Sequence, residues 1–231
     1  MKRTINIFLA IACLALAALA CQAVTGAGGG TNTPGATTTD VPQQGKVILN
    51  DDFSSSKWGV GTDKDSSVKY ADQALEMIVY TKNYFVWSLP NSTDYENIHM
   101  EVTATNNNTD PTTAFGLMCH QQTTSNAFYY FAITPAGQYA IAKASVAQDD
   151  VILSDDGKFE KSDAVKVNAP SYRIGADCSN GTLTMYVDGQ QVASVSDASY
   201  TKGGVALFTW SGEQATNTDV IFDDFVMREL K

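Results

Sequence analysis

Positive charge is in short supply in this 231-residue chain: 15 lysines and arginines stand against 25 aspartates and glutamates, a formal net charge of -10. Phosphate binding needs a basic face, so nucleic acid is excluded as a partner and electrostatic docking to an anionic membrane is disfavoured. Histidine occurs twice, at His99 and His120, too few for a hydrolytic metal centre. Neither has the Ser, Cys or Asp pattern around it that nucleophilic catalysis uses. No apolar run reaches the roughly 20 residues a helix needs to cross a bilayer. Beyond the N-terminal region, no stretch sustains a helical period over about 12 residues. What is present is 44% hydrophobic residues, enough for the core of one large β domain or two small ones.

The N-terminus reads as an address. Lys2 and Arg3 precede an apolar run from Ile5 to Ala20, which ends in Ala18-Leu19-Ala20-Cys21. Small residues before a cleavage point are what signal peptidases read. The tract resembles a bacterial lipobox, in which Cys21 becomes the first mature residue and carries the lipid. Ala18 stands where that motif usually has leucine, so cleavage by the general signal peptidase is the alternative. From Gln22 to Gly45, Gly, Thr and Pro dominate and large apolar residues are nearly absent. Such a segment buries too little surface to offset its ordering entropy and is expected to be a flexible tether. The expected organisation is a lipoprotein signal peptide over 1–20, lipidated Cys21 with its linker over 21–45, and a folded domain over 46–231. The chain is then a bacterial lipoprotein of the cell membrane or outer surface, touching the membrane through its lipid alone, with the domain extracytoplasmic.

The remainder is β throughout. Short runs rich in Val, Ile, Tyr, Phe and Thr, broken by turn clusters, predict strands over 46–50, 67–70, 74–80, 85–88, 98–104, 114–121 and 127–134. Others follow over 139–145, 172–179, 182–187, 191–195, 204–209 and 219–229. Asn180-Gly181 and Asp188-Gly189 are dipeptides favoured in two-residue hairpins, whose central positions take positive φ. About a dozen strands fit an all-β, two-sheet jelly-roll sandwich. Residues 146–170 are the least regular part, expected to be a long mobile excursion with room for a short helix.

Alternation assigns faces. Leu183, Met185 and Val187 point one way and Thr184 and Tyr186 the other; Ile174, Ala176 and Cys178 share a face, as do Leu117 and Cys119. With Cys13 in the leader and Cys21 carrying lipid, Cys119 and Cys178 are the remaining pair, and export favours a disulfide between them. The alternative is two separate buried thiols.

The tract from Tyr172 to Val192, with Val187-Asp188-Gly189, and then Gly203 to Phe208 resembles the closing strands of the concanavalin A-like, laminin G-like jelly rolls. So do Asp51-Asp52-Phe53-Ser54 with Trp58, Phe115 to Cys119, Asn126 to Phe131, and Phe222-Asp223-Asp224-Phe225. The likeness covers nearly all of 46–231 and implies that the first and last strands pair. This superfold hosts lectins, glycanases and adhesion modules alike, so it specifies fold better than function.

Three kinds of chemistry follow from the resemblance. The β-glucanases of this fold carry their acids in a Glu-x-Asp-x-x-Glu run, which is absent; the best isolated acid is Glu101. A structural calcium near the joined chain ends is implied at Asp51, Asp52, Asp223 and Asp224, since alternation pairs one aspartate with each phenylalanine of Phe222 and Phe225. Backbone capping by the same acids is the alternative. Lectin-like faces stack aromatic rings on sugars, and the candidates are His120, Phe128, Tyr130, Tyr139, Lys143 and Trp210, with Trp87 near a loop and Gln121, Gln122 and Asn126 adding amides around a turn. The expectation is a surface-displayed, non-catalytic carbohydrate-binding or adhesive module with a glycan or polysaccharide ligand. The alternatives are a glycoside hydrolase-like enzyme of the same fold, using Glu101 or an Asp of the excursion, and a structural envelope protein working through protein contacts.

Overall fold

The structure, a computed structural model, describes residues 45–108, 110–145, 148–213 and 216–231. The expected leader and tether, Cys21 included, lie outside the described residues apart from Gly45. Strands β1 (Val47–Asp51), β2 (Gly61–Thr62), β3 (Ser66–Ala71), β4 (Ala74–Val79), β5 (Phe85–Ser88), β6 (Ile98–Asn106), β7 (Ala114–Gln122) and β8 (Ala127–Thr134) form the first half. Then come β9 (Gln138–Ala144), β10 (Val151–Ile152), β11 (Glu160–Lys161), β12 (Tyr172–Ser179), β13 (Thr182–Val187), β14 (Gln190–Ser196), β15 (Gly204–Trp210) and β16 (Thr218–Glu229).

All pairings are antiparallel and fall into two sheets. The nine-stranded sheet runs β14-β13-β12-β6-β16-β4-β3-β2, with β1 also on β16; the seven-stranded sheet runs β10-β9-β8-β7-β15-β5, with β11 also on β9. The sandwich expected from sequence is therefore present. Its interior takes alternate residues from both layers, including Leu183, Met185, Val187, Ile174, Ala176, Leu117, Phe131 and Leu207. The two hairpin turns form as their dipeptides dictate, with positive φ at Asn180, Gly181, Asp188 and Gly189. The chain closes on itself where β1 pairs β16, Asp51 lying opposite Phe225.

Cys119 on β7 and Cys178 on β12 form a disulfide across the core, so the two sheets are covalently joined. Closing 59 residues of separation stabilises the fold by about 4 kcal/mol in the chain-entropy picture.

Two expectations are corrected. The described part of 146–170 holds no helix; it carries β10 and β11, both laid against β9. These strands, like β2, are two residues long and too short for any period to be read. Strict alternation across Phe222 to Phe225 also fails. A β-bulge there pairs Asp223 with Thr103 but Val226 with Glu101, and Asp224 takes φ +50°. The extra residue lets Phe222 and Phe225 both enter the core while Asp223 and Asp224 stay outside it, so neither carboxylate is drawn inward.

Candidate functional site

Every strand has a second face, and on the seven-stranded sheet that face is apolar as well. Ala114 and Met118 of β7, Tyr130 and Ala132 of β8, Ala142 and Ala144 of β9, and Ala206 and Phe208 of β15 form a cluster separate from the inter-sheet core. Its buried members are mostly alanines, and short side chains keep a floor low where large ones would fill it. Rings rise around that floor. Phe85 and Trp87, two apart on edge strand β5, share this side, while Val86 between them packs into the core. Pairing of β5 with β15 sets Trp87 opposite Phe208 and Phe85 opposite Trp210.

The result is a cleft of about 380 Å³ lined by Phe85, Trp87, Phe128, Tyr130, Phe159, Phe208 and Trp210, with Asn126, Ser145 and Asp150 as its polar side chains. Phe85 is the hub: its ring stacks on Phe208 at 4.9 Å and on Phe128 at 5.8 Å, and meets Trp87 at 5.9 Å. Such contacts fix ring orientation and hold a flat apolar surface ready-made. Trp87 remains 39% exposed, so part of this aromatic patch faces solvent.

One carboxylate reaches the cleft. Asp150, from the excursion, accepts a hydrogen bond from the Tyr130 hydroxyl at 2.9 Å. Burial, with the neighbouring charge of Asp149, raises its pKa above the ordinary carboxylate value, against the opposing hydrogen bond from Tyr130. Burial likewise pushes the Tyr130 phenol well up, and the Asp150 charge adds to it.

Of the aromatic and polar residues expected to meet a ligand, Phe128, Tyr130 and Trp210 come together here and three others do not. His120 sits at a bulge in β7 with φ +51°, which turns it off the face of Met118. Its ring nitrogens lie 2.9 and 2.8 Å from the carbonyl oxygens of Tyr200 and Glu96, so it braces loops. Tyr139 and Lys143 do share a face of β9, but it is the inter-sheet face. Tyr139 is core and donates to Asp155. Lys143 donates to Asp197 and Ser199, and Asp197 also accepts from Tyr129. Missed from sequence were Phe85, Phe208 and Phe159; Trp87 was named as a ring near a loop, and Asp150 only as one of the excursion's acids. The i, i+2 spacing from Trp87 was a signal for Phe85; nothing local marked Phe208 or Phe159.

The four acids proposed for calcium do not fit that ion. Asp51 is buried with both oxygens engaged, accepting from Phe53 N at 3.0 Å and Trp58 Nε1 at 3.2 Å, with Lys57 Nζ at 3.7 Å. Asp52 is exposed and accepts from Ser54, and Asp223 accepts from Asp224 N. Among the described residues no group of three or more His, Cys, Asp or Glu side chains could hold a metal.

Glu101 lies on the other sheet, on its outer face. There His99 Nδ1 is 2.6 Å from Asp177 Oδ1, and Nε2 is 3.3 Å from Glu101 Oε1, off hydrogen-bonding alignment. Tyr186 donates to the other oxygen of Asp177, and Arg173 grips Glu101 through two nitrogens at 3.2 and 3.0 Å. The His99 ring, with Arg173, holds the Glu101 pKa down at about 2 against the pull of burial. Burial acts to lower His99, but the two carboxylates outweigh it and raise the ring to about 8. An acid held ionised in this way has no proton to give a leaving group.

No family model and no curated protein matches the chain. Solved structures do resemble it. A carbohydrate-binding module, CBM66, from Bacillus subtilis superposes with a TM-score of 0.58 at 12% identity, covering 75% of this chain and 96% of that one. A protein of unknown function with a galectin-like fold, also from Bacillus subtilis, gives 0.57 at 11%, covering 80% and 96%. The β-glucanase of Bacillus licheniformis gives 0.54 at 12%, covering 82% and 100%. At these identities the likeness establishes the concanavalin A-like jelly-roll fold.

Proposed function

We propose that this chain is a non-catalytic carbohydrate-binding module, exported and held at the cell surface by a lipid on Cys21 and a flexible tether. The observation that carries the reading is the cleft on the seven-stranded sheet. Rings held in place by mutual stacking, around a floor of alanines, form a surface on which the apolar faces of sugar rings can lie, with Asn126, Ser145 and Asp150 at hand for hydroxyls. The resemblance to a carbohydrate-binding module and to a glucanase of the same architecture supports a glycan ligand. The Lys2-Arg3 start, the apolar run and Cys21 support export.

The same fold also hosts hydrolases, and Asp150 with its raised pKa is the feature that favours that second reading. Glycoside cleavage needs two carboxyl groups, about 5–5.5 Å apart for retention or about 6.5–9.5 Å for inversion. Among the described residues Asp150 is the one carboxylic acid lining the cleft, and Glu101 belongs to the opposite sheet. Binding without turnover is therefore the better fit.

Titrating residues 46–231 with a panel of soluble polysaccharides, reading tryptophan fluorescence, checks the proposal directly. The expected outcome is saturable quenching by at least one polymer, in the micromolar-to-millimolar range, without release of reducing ends. Quenching by none of them overturns the reading, and release of reducing ends replaces it with hydrolysis.

A further inference from the structure

The cleft has a charge that its own residues leave unmatched. Among the described residues Asp150 is the single carboxylate lining the cleft, and no lysine, arginine or histidine lines it alongside. Among the described residues its hydrogen-bond donor is the neutral phenol of Tyr130. The groups acting on its carboxyl are burial, that phenol and the like charge of Asp149, with no cation among them. Elsewhere on the molecule some carboxylates are held by a cation. Asp197 has Lys143, Glu101 has Arg173, and Asp177 has His99. Asp150, exposed at the cleft beside its aromatic rings, has no such partner among the lining residues.

Rings and carboxylate together have one chemistry in common. The faces of Trp, Tyr and Phe carry negative potential and attract a cation, more so when water is excluded. An ammonium group entering the cleft gains both the ring faces and the missing counter-charge of Asp150. A neutral sugar gains stacking and hydrogen bonds, and for the latter the cleft offers few polar side chains. The excess of acids over bases in the whole chain adds attraction of the same sign.

Building on the glycan reading above, we propose that the cleft prefers amino sugars bearing a free, protonated amine, with the ring body stacked on Phe85, Phe128 and Trp87 and the ammonium against Asp150. The amine is the specificity handle, and Asp150 is its partner. N-acetylation removes the charge and with it the preference.

Three hexasaccharides of equal length test this by titration calorimetry near pH 6 in 150 mM salt, about the ionic strength at which long-range attraction is screened beyond roughly 8 Å. They are the β-1,4-linked glucosamine oligomer, its fully N-acetylated form, and the corresponding glucose oligomer. The expected result is that the glucosamine oligomer binds about tenfold more tightly than either neutral one. Asp150→Asn brings the three affinities within about twofold, whereas Asp156→Asn, an equal change of net charge at an exposed position of the same excursion, leaves the preference intact. Thermal melts confirm that each variant is folded. Neutral oligomers binding as well as the charged one, or a preference that survives Asp150→Asn, overturns the inference and leaves the glycan reading standing. Absence of binding to every oligomer and every polysaccharide overturns both.

Discussion

The two outward faces of this sandwich obey the same alternation and come out opposite in character. On the nine-stranded sheet the outer positions His99, Glu101, Arg173, Asp177 and Tyr186 bond to one another, and the face is closed by its own ion pairs. On the seven-stranded sheet the outer positions are alanines and rings, and the face stays open as a cleft. A surface that satisfies itself offers a ligand little, because each new contact must first break an internal one. A face with rings in fixed positions and a charge lacking its counter-ion has free energy left to gain from a partner. The contrast assigns stability to one side and recognition to the other.

The sharpest way to break that assignment is Asp177→Ala. It removes the hydrogen-bonded carboxylate of a histidine that is 1% exposed, leaving Glu101 as its one charged partner, and breaking a buried pair in this way costs about 3 kcal/mol. The urea midpoint should fall accordingly while affinity for the glycan stays as it was. A loss of affinity on the folded variant would mean the two faces are coupled.

A gentler perturbation is pH. The folded pKa of His99, about 8, lies above its ordinary 6.5. Its contribution, on the order of 2 kcal/mol, is therefore fully present below about pH 6.5 and disappears as pH rises through about 8. Glu101, held down at about 2 from 4.5, contributes above about pH 4.5 and loses that contribution as pH falls toward 2. The two describe one interaction and are not added. Denaturant melts across this range should show maximal stability from this network between about pH 4.5 and 6.5, and a flat profile would contradict the geometry.

Trp87→Ala is the smallest change to the fold and sharpens the contrast from the other side. With the ring 39% exposed, stability should move by less than about 1 kcal/mol, while polysaccharide affinity drops about tenfold. Unchanged affinity would take Trp87 out of the binding surface.

Most of the scaffold could be read in advance, and the reasons are local. Strands such as Phe85–Ser88, Ala127–Thr134, Tyr172–Ser179 and Thr182–Val187 have the bounds that β-branched and aromatic runs between turn residues imply. The disulfide follows from two inward cysteines on strands. The candidate site was half legible. Phe128 and Tyr130 share a face by spacing alone, and Trp210 ends a strand. His120 was misplaced because a bulge reverses the parity of alternation beyond it, and nothing in the neighbouring residues announces that bulge. Tyr139 and Lys143 were correctly put on one face, but which of the two faces looks inward is undecided within a single strand.

From the order of its residues alone, this chain committed itself to β structure, to hairpin turns at Asn180-Gly181 and Asp188-Gly189, and to two sets of side chains on each strand. A period of two separates those sets without saying what lies over either. Only assembly decided that, by placing β15 between β7 and β5 so that Phe85 and Trp87 ring one cleft with Phe208, more than a hundred residues away in the chain. It also brought Asp150 over the rings and Glu101 to the far side of the molecule. Which strands become neighbours depends on burying the whole interior at once, and no local run of residues encodes that sum.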